Sequence, residues 1–140
     1  MWHWAVHALM SVVIVYLLVD FLTLCWSRRM YQILYKLNLF VKGWIIFFDV
    51  NGLKNVNDSL GHREGDRLLR MIGRKMFLIS KGKCFRFGGD EFVVLTFSPY
   101  YFKAERMALK IKEKCDVAYG IALNEQETDR KMYLNKSQKI

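Results

Sequence analysis

Apolar positions recur along this chain with different spacings, and each spacing predicts a different kind of element. From Trp2 to Val19 (WHWAVHALMSVVIVYLLV) no Asp, Glu, Lys or Arg occurs, and apolar residues cover every face of Val12 to Val19. A helix of that pattern buries its whole circumference, and its 18 residues reach about 27 Å, close to a bilayer's hydrocarbon core of about 30 Å. Residues 1–19 are therefore expected to form a transmembrane helix, with an amphipathic dimerisation helix as the alternative, ahead of one domain over 20–140. Trp44 to Val50 (WIIFFDV) is a short continuous apolar run, as in a central strand covered on both faces, and it closes on a single acid, Asp49. Helical spacing returns at Arg28–Leu37 and at Glu64–Ile79, where Leu68, Ile72 and Met76 share a face. Lys83–Phe87 and Phe92–Thr96 read as the arms of a hairpin, and Val117–Ala122 (VAYGIA) as a strand. Ser98 and Pro99 form an N-cap and N1 pair opening a helix to about Cys115, and Glu127–Lys136 reads as a closing helix. Between strand and helix, Asn51, Gly52, Asn57, Asp58, Gly61 and His62 signal turns. The order of elements is that of an α+β domain.

The hairpin carries the densest chemistry. It reads FRFGGDEFVV from Phe85 to Val94. Gly88 and Gly89 are expected to take the positive φ angles of a tight turn and, lacking Cβ atoms, to let a bulky ligand approach the backbone. Asp90 and Glu91 follow side by side. Adjacent carboxylates repel, and a divalent cation with oxygen ligands would neutralise them. The same residues also suit an ordinary solvated turn, because Gly-Gly-Asp is common hairpin chemistry.

The stretch after Asp49, NGLKNVNDSLGHREGD, decides between these readings. With Gly88 to Phe92 it resembles the GGDEF family of diguanylate cyclases, whose anchors Asp49, Lys54, Asn57-Asp58, Gly61-His62 and Gly65-Asp66 are all filled. Asp20-Phe21-Leu22-Thr23 with Ser27-Arg28-Arg29 resembles the family's opening segment, and Asp129, Met132, Tyr133 and Lys136 its closing helix. Four such motifs in order make chance similarity improbable.

The resemblance implies a palm-like antiparallel sheet flanked by helices. It also implies an enzyme that condenses two GTP into cyclic di-GMP with loss of two pyrophosphates, each copy of a homodimer holding one GTP. It assigns the metal, Mg²⁺ or Mn²⁺, to Asp49, Asp90 and the Val50 carbonyl, and the chemistry to Asp90 with Glu91 secondary. Guanine falls to Asn57 and Asp66, and the phosphates to Gly52, Leu53, Lys54 and Lys136. The bland readings are helix caps for Asn57-Asp58 and Gly65-Asp66 and solvated surface lysines for Lys54 and Lys136. There are departures: Leu24 and Ser27 replace the usual Gly and Asn, and Asn51 a common second Asp. The inhibitory RxxD motif would fall on Ile79-Ser80-Lys81-Gly82 and is absent, so product feedback there is not expected. The chain is also shorter than usual between Ile121 and Asp129, which bears on rate more than on nucleotide binding. A degenerate module that binds GTP as a membrane-tethered regulator without turnover is the alternative.

Charge adds a direction. The net charge is +9, yet all 22 Lys and Arg residues lie at or after Arg28. By the positive-inside tendency, a single-pass protein of the bacterial inner membrane would keep its catalytic domain in the cytoplasm, and its helix in contact with lipid. The basic residues are scattered and form no nucleic-acid reader motif, so no nucleic-acid partner is expected. Cys25, Cys84 and Cys115 lack metal or disulfide spacing and suit free thiols in a reducing compartment.

Overall fold

A computed structural model describes residues 2–123. The elements run α1 (His3–Leu18), α2 (Arg28–Phe40), β1 (Ile45–Val50), α3 (Leu53–Leu60), α4 (His62–Ile79), β2 (Cys84–Arg86), β3 (Glu91–Leu95), α5 (Tyr101–Lys114) and β4 (Val117–Ala122). The closing helix expected over Glu127–Lys136, with Lys136 itself, lies outside the described residues.

Among the described residues four strands form one sheet in the order β2-β3-β1-β4, and every neighbouring pair is antiparallel. All six residues of β1 are buried, which is why its sequence is apolar without alternation. Its two faces serve different layers. Ile46, Phe48 and Val50 pack with Leu69, Ile72 and Met76 of α4 and Ala104, Ala108 and Ile111 of α5. Ile45 and Phe47 pack with Tyr31 of α2, Phe85, Val93 and Leu95. The sheet is thus a septum between α2 and the α4–α5 pair, and the pleat carries Asp49 on the α2 side of β1, just past Phe47.

Three sequence expectations change. α1 forms, but it has 16 residues, about 24 Å of helix. No helix among the described residues is long and apolar enough to cross a membrane, and α1 gives the span expected over residues 1–19 no support. The turn signals between Asn51 and His62 conceal α3: Gly52 stands at its N-cap in the left-handed region (φ 71°), and Gly61 (φ 89°) separates it from α4. The Asn and Asp residues between them lie within the helix. The Ser98-Pro99 pair does not open α5, whose N-cap is Tyr100; the Ser98 hydroxyl instead accepts from the Tyr100 amide at 3.4 Å.

The junction of α1 and α2 accounts for two departures. Ser27 is the N-cap of α2, accepting from the Met30 amide, while its own hydroxyl donates to the Leu17 carbonyl at 2.9 Å. Leu24 has a φ of 60°, so it holds, under strain, the left-handed conformation that glycine adopts without it.

Candidate active site

At the end of β1, strand pairing sets Asp49 directly opposite Glu91 of β3. Asp49 is 8% exposed and Glu91 half-buried. One residue further, the Val50 amide donates to the Asp90 carbonyl at 2.9 Å. Asp49, Val50, Asp90 and Glu91 are therefore held together by backbone, not by side-chain chance. Among the described residues no three His, Cys, Asp or Glu side chains form a metal-binding group. The donor set on offer is two carboxylates and a carbonyl, and Mg²⁺ commonly takes one or two protein carboxylates and fills its octahedron with phosphate and water oxygens.

The signature turn departs from expectation. Neither Gly88 nor Gly89 adopts a positive φ. Gly88 is required for space: a Cβ there would stand 2.5 Å from Glu91 Oε2, whereas one on Gly89 would meet nothing within 4 Å. The first glycine makes room for the Glu91 carboxylate. The second leaves an open approach to the backbone. The turn closes with the Phe87 and Gly88 amides donating to the Glu91 carbonyl at 2.9 and 3.2 Å.

Arg86 holds this turn, and the sequence reading gave it no role. Its guanidinium donates to the Gly88 and Gly89 carbonyls at 3.2 and 2.9 Å and to both Asp20 carboxylate oxygens at 3.2 Å. The available signal was a lone cation in an apolar strand, Phe85-Arg86-Phe87. Burial alone would raise the Asp20 pKa, but the Thr23 hydroxyl and amide, together with Arg86, hold it below the ordinary carboxylate value. A lowered carboxylate stabilises the fold above its unfolded pKa, and that stability is lost as the pH falls through the folded value. Arg86→Met is therefore expected to lower stability by about 1–3 kcal/mol near neutrality, with the deficit shrinking below about pH 4, where Asp20 protonates in the unfolded chain. Urea unfolding of parent and variant across pH tests this, and a deficit that persists undiminished at low pH would remove the ion pair from the explanation.

The remaining expected residues within the described chain lie at or on α3 and α4, beyond β1. Asn51 donates through its side chain to Asp116 Oδ1 at 2.7 Å, a bond an aspartate could not donate. Gly52, Leu53 and Lys54 form the first turn of α3, ahead of its first intrahelical bond from the Val56 amide to the Gly52 carbonyl. Their amides and the helix dipole favour an anion, and the Lys54 side chain is exposed beside them. Asn57 rests against Gly65, where a Cβ would overlap its Oδ1, and Asp66 follows Gly65 as an exposed carboxylate. The fold thus gathers Asp49, Val50, Asp90 and Glu91 at one strand end and sets Asn57 beside Gly65-Asp66 across the α3–α4 junction. Where the RxxD motif would stand, Ile79 and Lys81 line a shallow cleft of about 270 Å³ with Lys103, Arg106, Met107 and Lys110.

A four-stranded antiparallel sheet flanked by helices, with carboxylates at the end of a central strand beside a glycine hairpin and a helix N-terminus, defines an α+β domain with a candidate anion- and metal-binding edge. Sequence comparison makes this specific: the family described as "Diguanylate cyclase, GGDEF domain" matches residues 19–136, and the chain belongs to that family. The chain is 43% identical over 56 residues to the probable diguanylate cyclase DgcI of Escherichia coli K12, covering 38% of this chain and 13% of that protein. It is 30% identical over 74 residues to the diguanylate cyclase DosC of the same organism, covering 51% and 16%. The matched segments thus span only a small part of these relatives. Among solved structures, the coiled coil and GGDEF domain of DgcB from Caulobacter crescentus, in complex with c-di-GMP, superposes with a TM-score of 0.82 at 15% identity, covering 96% of this chain and 88% of that one. Diguanylate cyclase SiaD from Pseudomonas aeruginosa gives 0.77 at 20% identity, covering 98% and 65%. At these identities the structural likeness concerns the fold.

Proposed function

We propose that this domain is one half-site of a diguanylate cyclase, binding one GTP and pairing with a second copy to make cyclic di-GMP and two pyrophosphates. The observation that carries the reading is the backbone-fixed cluster of Asp49, Val50, Asp90 and Glu91 beside the N-terminus of α3. In each half-reaction the 3′-oxygen of one GTP forms a bond to the α-phosphorus of the other, and the bond to pyrophosphate breaks. Asp90 accepts the hydroxyl proton, with Glu91 beside it. Asp49, Asp90 and the Val50 carbonyl would hold Mg²⁺ or Mn²⁺, which would supply positive charge against the triphosphate. The amides of Gly52 and Leu53, with Lys54, hold the phosphates. Lys136 is a second phosphate contact in this reading. In this reading the domain works in the cytoplasm, where its GTP is available, and a membrane anchor belongs to the proposal alone.

Base choice falls to Asn57 and Asp66. Guanine presents N1–H and N2–H₂ as adjacent donors that one carboxylate can accept together, and adenine lacks the pair. Gly65→Ala is expected to push the Asn57 side chain aside and to raise the KM for GTP about tenfold, with the α4 fold kept. Steady-state rates beside a circular-dichroism melt check this, and an unchanged KM would remove Asn57 from the base site.

The function itself is tested by mass spectrometry of products after incubating the purified chain with GTP and Mg²⁺, with ATP and Asp90→Ala as controls. Cyclic di-GMP formed only by the parent protein from GTP supports the cyclase. Bound but intact GTP at dimer-favouring concentrations supports the regulatory module instead.

A further inference from the structure

Three buried cysteines take no part in the chemistry above, and two of them meet. Cys25 lies between α1 and α2, and Cys84 opens β2. Trp26 and Phe85 form a parallel bridge, closed by the Trp26 amide donating to the Cys84 carbonyl at 3.1 Å and the Arg86 amide donating to the Trp26 carbonyl at 2.8 Å. The residues just before the bridge, Cys25 and Cys84, are therefore lateral neighbours. Neighbouring strands stand about 4.7–4.9 Å apart, inside the Cα separation of about 4.4–6.8 Å that a disulfide spans. The side chains also point the same way: the two Sγ atoms are 3.7 Å apart, and both residues are fully buried. Cys115, at the end of α5, shares neither segment.

We infer that Cys25 and Cys84 are a redox modification site, a dithiol that a peroxide converts to an intramolecular disulfide. In the first step the Cys25 thiolate attacks one peroxide oxygen, the O–O bond breaks, and hydroxide leaves, giving a sulfenic acid. In the second, the Cys84 sulfur displaces the sulfenic oxygen as water, forming the S–S bond; the two thiols are oxidised and one hydrogen peroxide is reduced to two waters. Burial pushes the Cys84 thiol up, which leaves Cys25 as the attacking sulfur. The bond would staple the segment carrying Asp20 to the strand carrying Arg86, alongside the ion pair that steadies the signature turn. Its closure over 59 positions is long enough to restrict the unfolded chain substantially.

The experiment treats the native purified chain with hydrogen peroxide, alkylates the remaining thiols in denaturant and maps the tryptic peptides. The three cysteines fall in separate peptides, 1–28, 84–86 and 115–130. The expected result is loss of two hydrogens, peptide 1–28 linked to 84–86, Cys115 alkylated, and a thermal midpoint raised by several degrees, all reversed by a phosphine reductant. Cys115→Ala is expected to keep the link. Three alkylated cysteines, oxygen added without a link, a bond through Cys115, or a bond between two chains would each overturn the inference. Because the parent protein's own map decides, the result does not hang on the folding of any variant, or on the cyclase reading.

Discussion

Asp49→Asn is expected to cut turnover of GTP by at least about a hundredfold and to shift the Mg²⁺ dependence to higher concentrations. The substitution removes one charge from the strand end where Asp49 faces Glu91, and it keeps the shape of a side chain only 8% exposed. Like charges placed directly opposite across two strands destabilise a sheet. The midpoint of thermal unfolding should accordingly stay at or above the parent's while activity collapses. Initial rates over a Mg²⁺ series, with melts of both proteins, read the two quantities separately. If activity falls only in step with stability, the carboxylate is structural; if the rate is unchanged, Asp49 is not a metal ligand.

The largest effect on stability is expected at Phe48→Ala. Phe48 is fully buried in the central strand, on the face packed by α4 and α5, and its ring lies 6.2 Å from that of Tyr119 on β4. Truncating a buried Phe to Ala costs about 3–5 kcal/mol, set against a total stability of about 5–15 kcal/mol for an ordinary domain. Urea unfolding should show the midpoint displaced by that amount with the slope preserved. A loss below about 1 kcal/mol would mean that neighbouring side chains refill the space and that the packing described here is loose.

Much of this architecture is legible in the residues because its strongest signals are local. β1 announces itself through an unbroken apolar run, β4 has the residue range that VAYGIA predicts, and the Leu68, Ile72 and Met76 stripe gives α4 its inward face. What was not legible turns on backbone conformation, on close steric fit and, for one residue, on a distant partner. α3 was hidden because Asn and Asp, common turn formers, sit in a helix whose boundaries are drawn by two left-handed glycines. The φ angles of Gly88 and Gly89 could not be read because the first glycine answers a steric demand from Glu91 and not a turn requirement. α1 has the apolar character that suggested a span but ends where Val19 turns extended, short of the length a bilayer needs. At the site, Asp49, Asn57, Asp66, Asp90 and Glu91 were legible through the resemblance to the family's motifs. The Arg86 clamp joins residues 66 positions apart, and only the folded chain shows it.

The crossing segment at Trp26 also guards the molecule against its own kind. β2 is the outermost strand and only three residues long, and its free side is met by the Trp26 backbone, while the Trp26 indole donates to the Gly82 carbonyl at 2.9 Å. An outer strand with unsatisfied amides and carbonyls recruits further strands from other chains. A protein whose 19–26 segment has come loose would therefore present a sticky edge, and filament growth or precipitation, more than lost chemistry, would be the first sign of damage there.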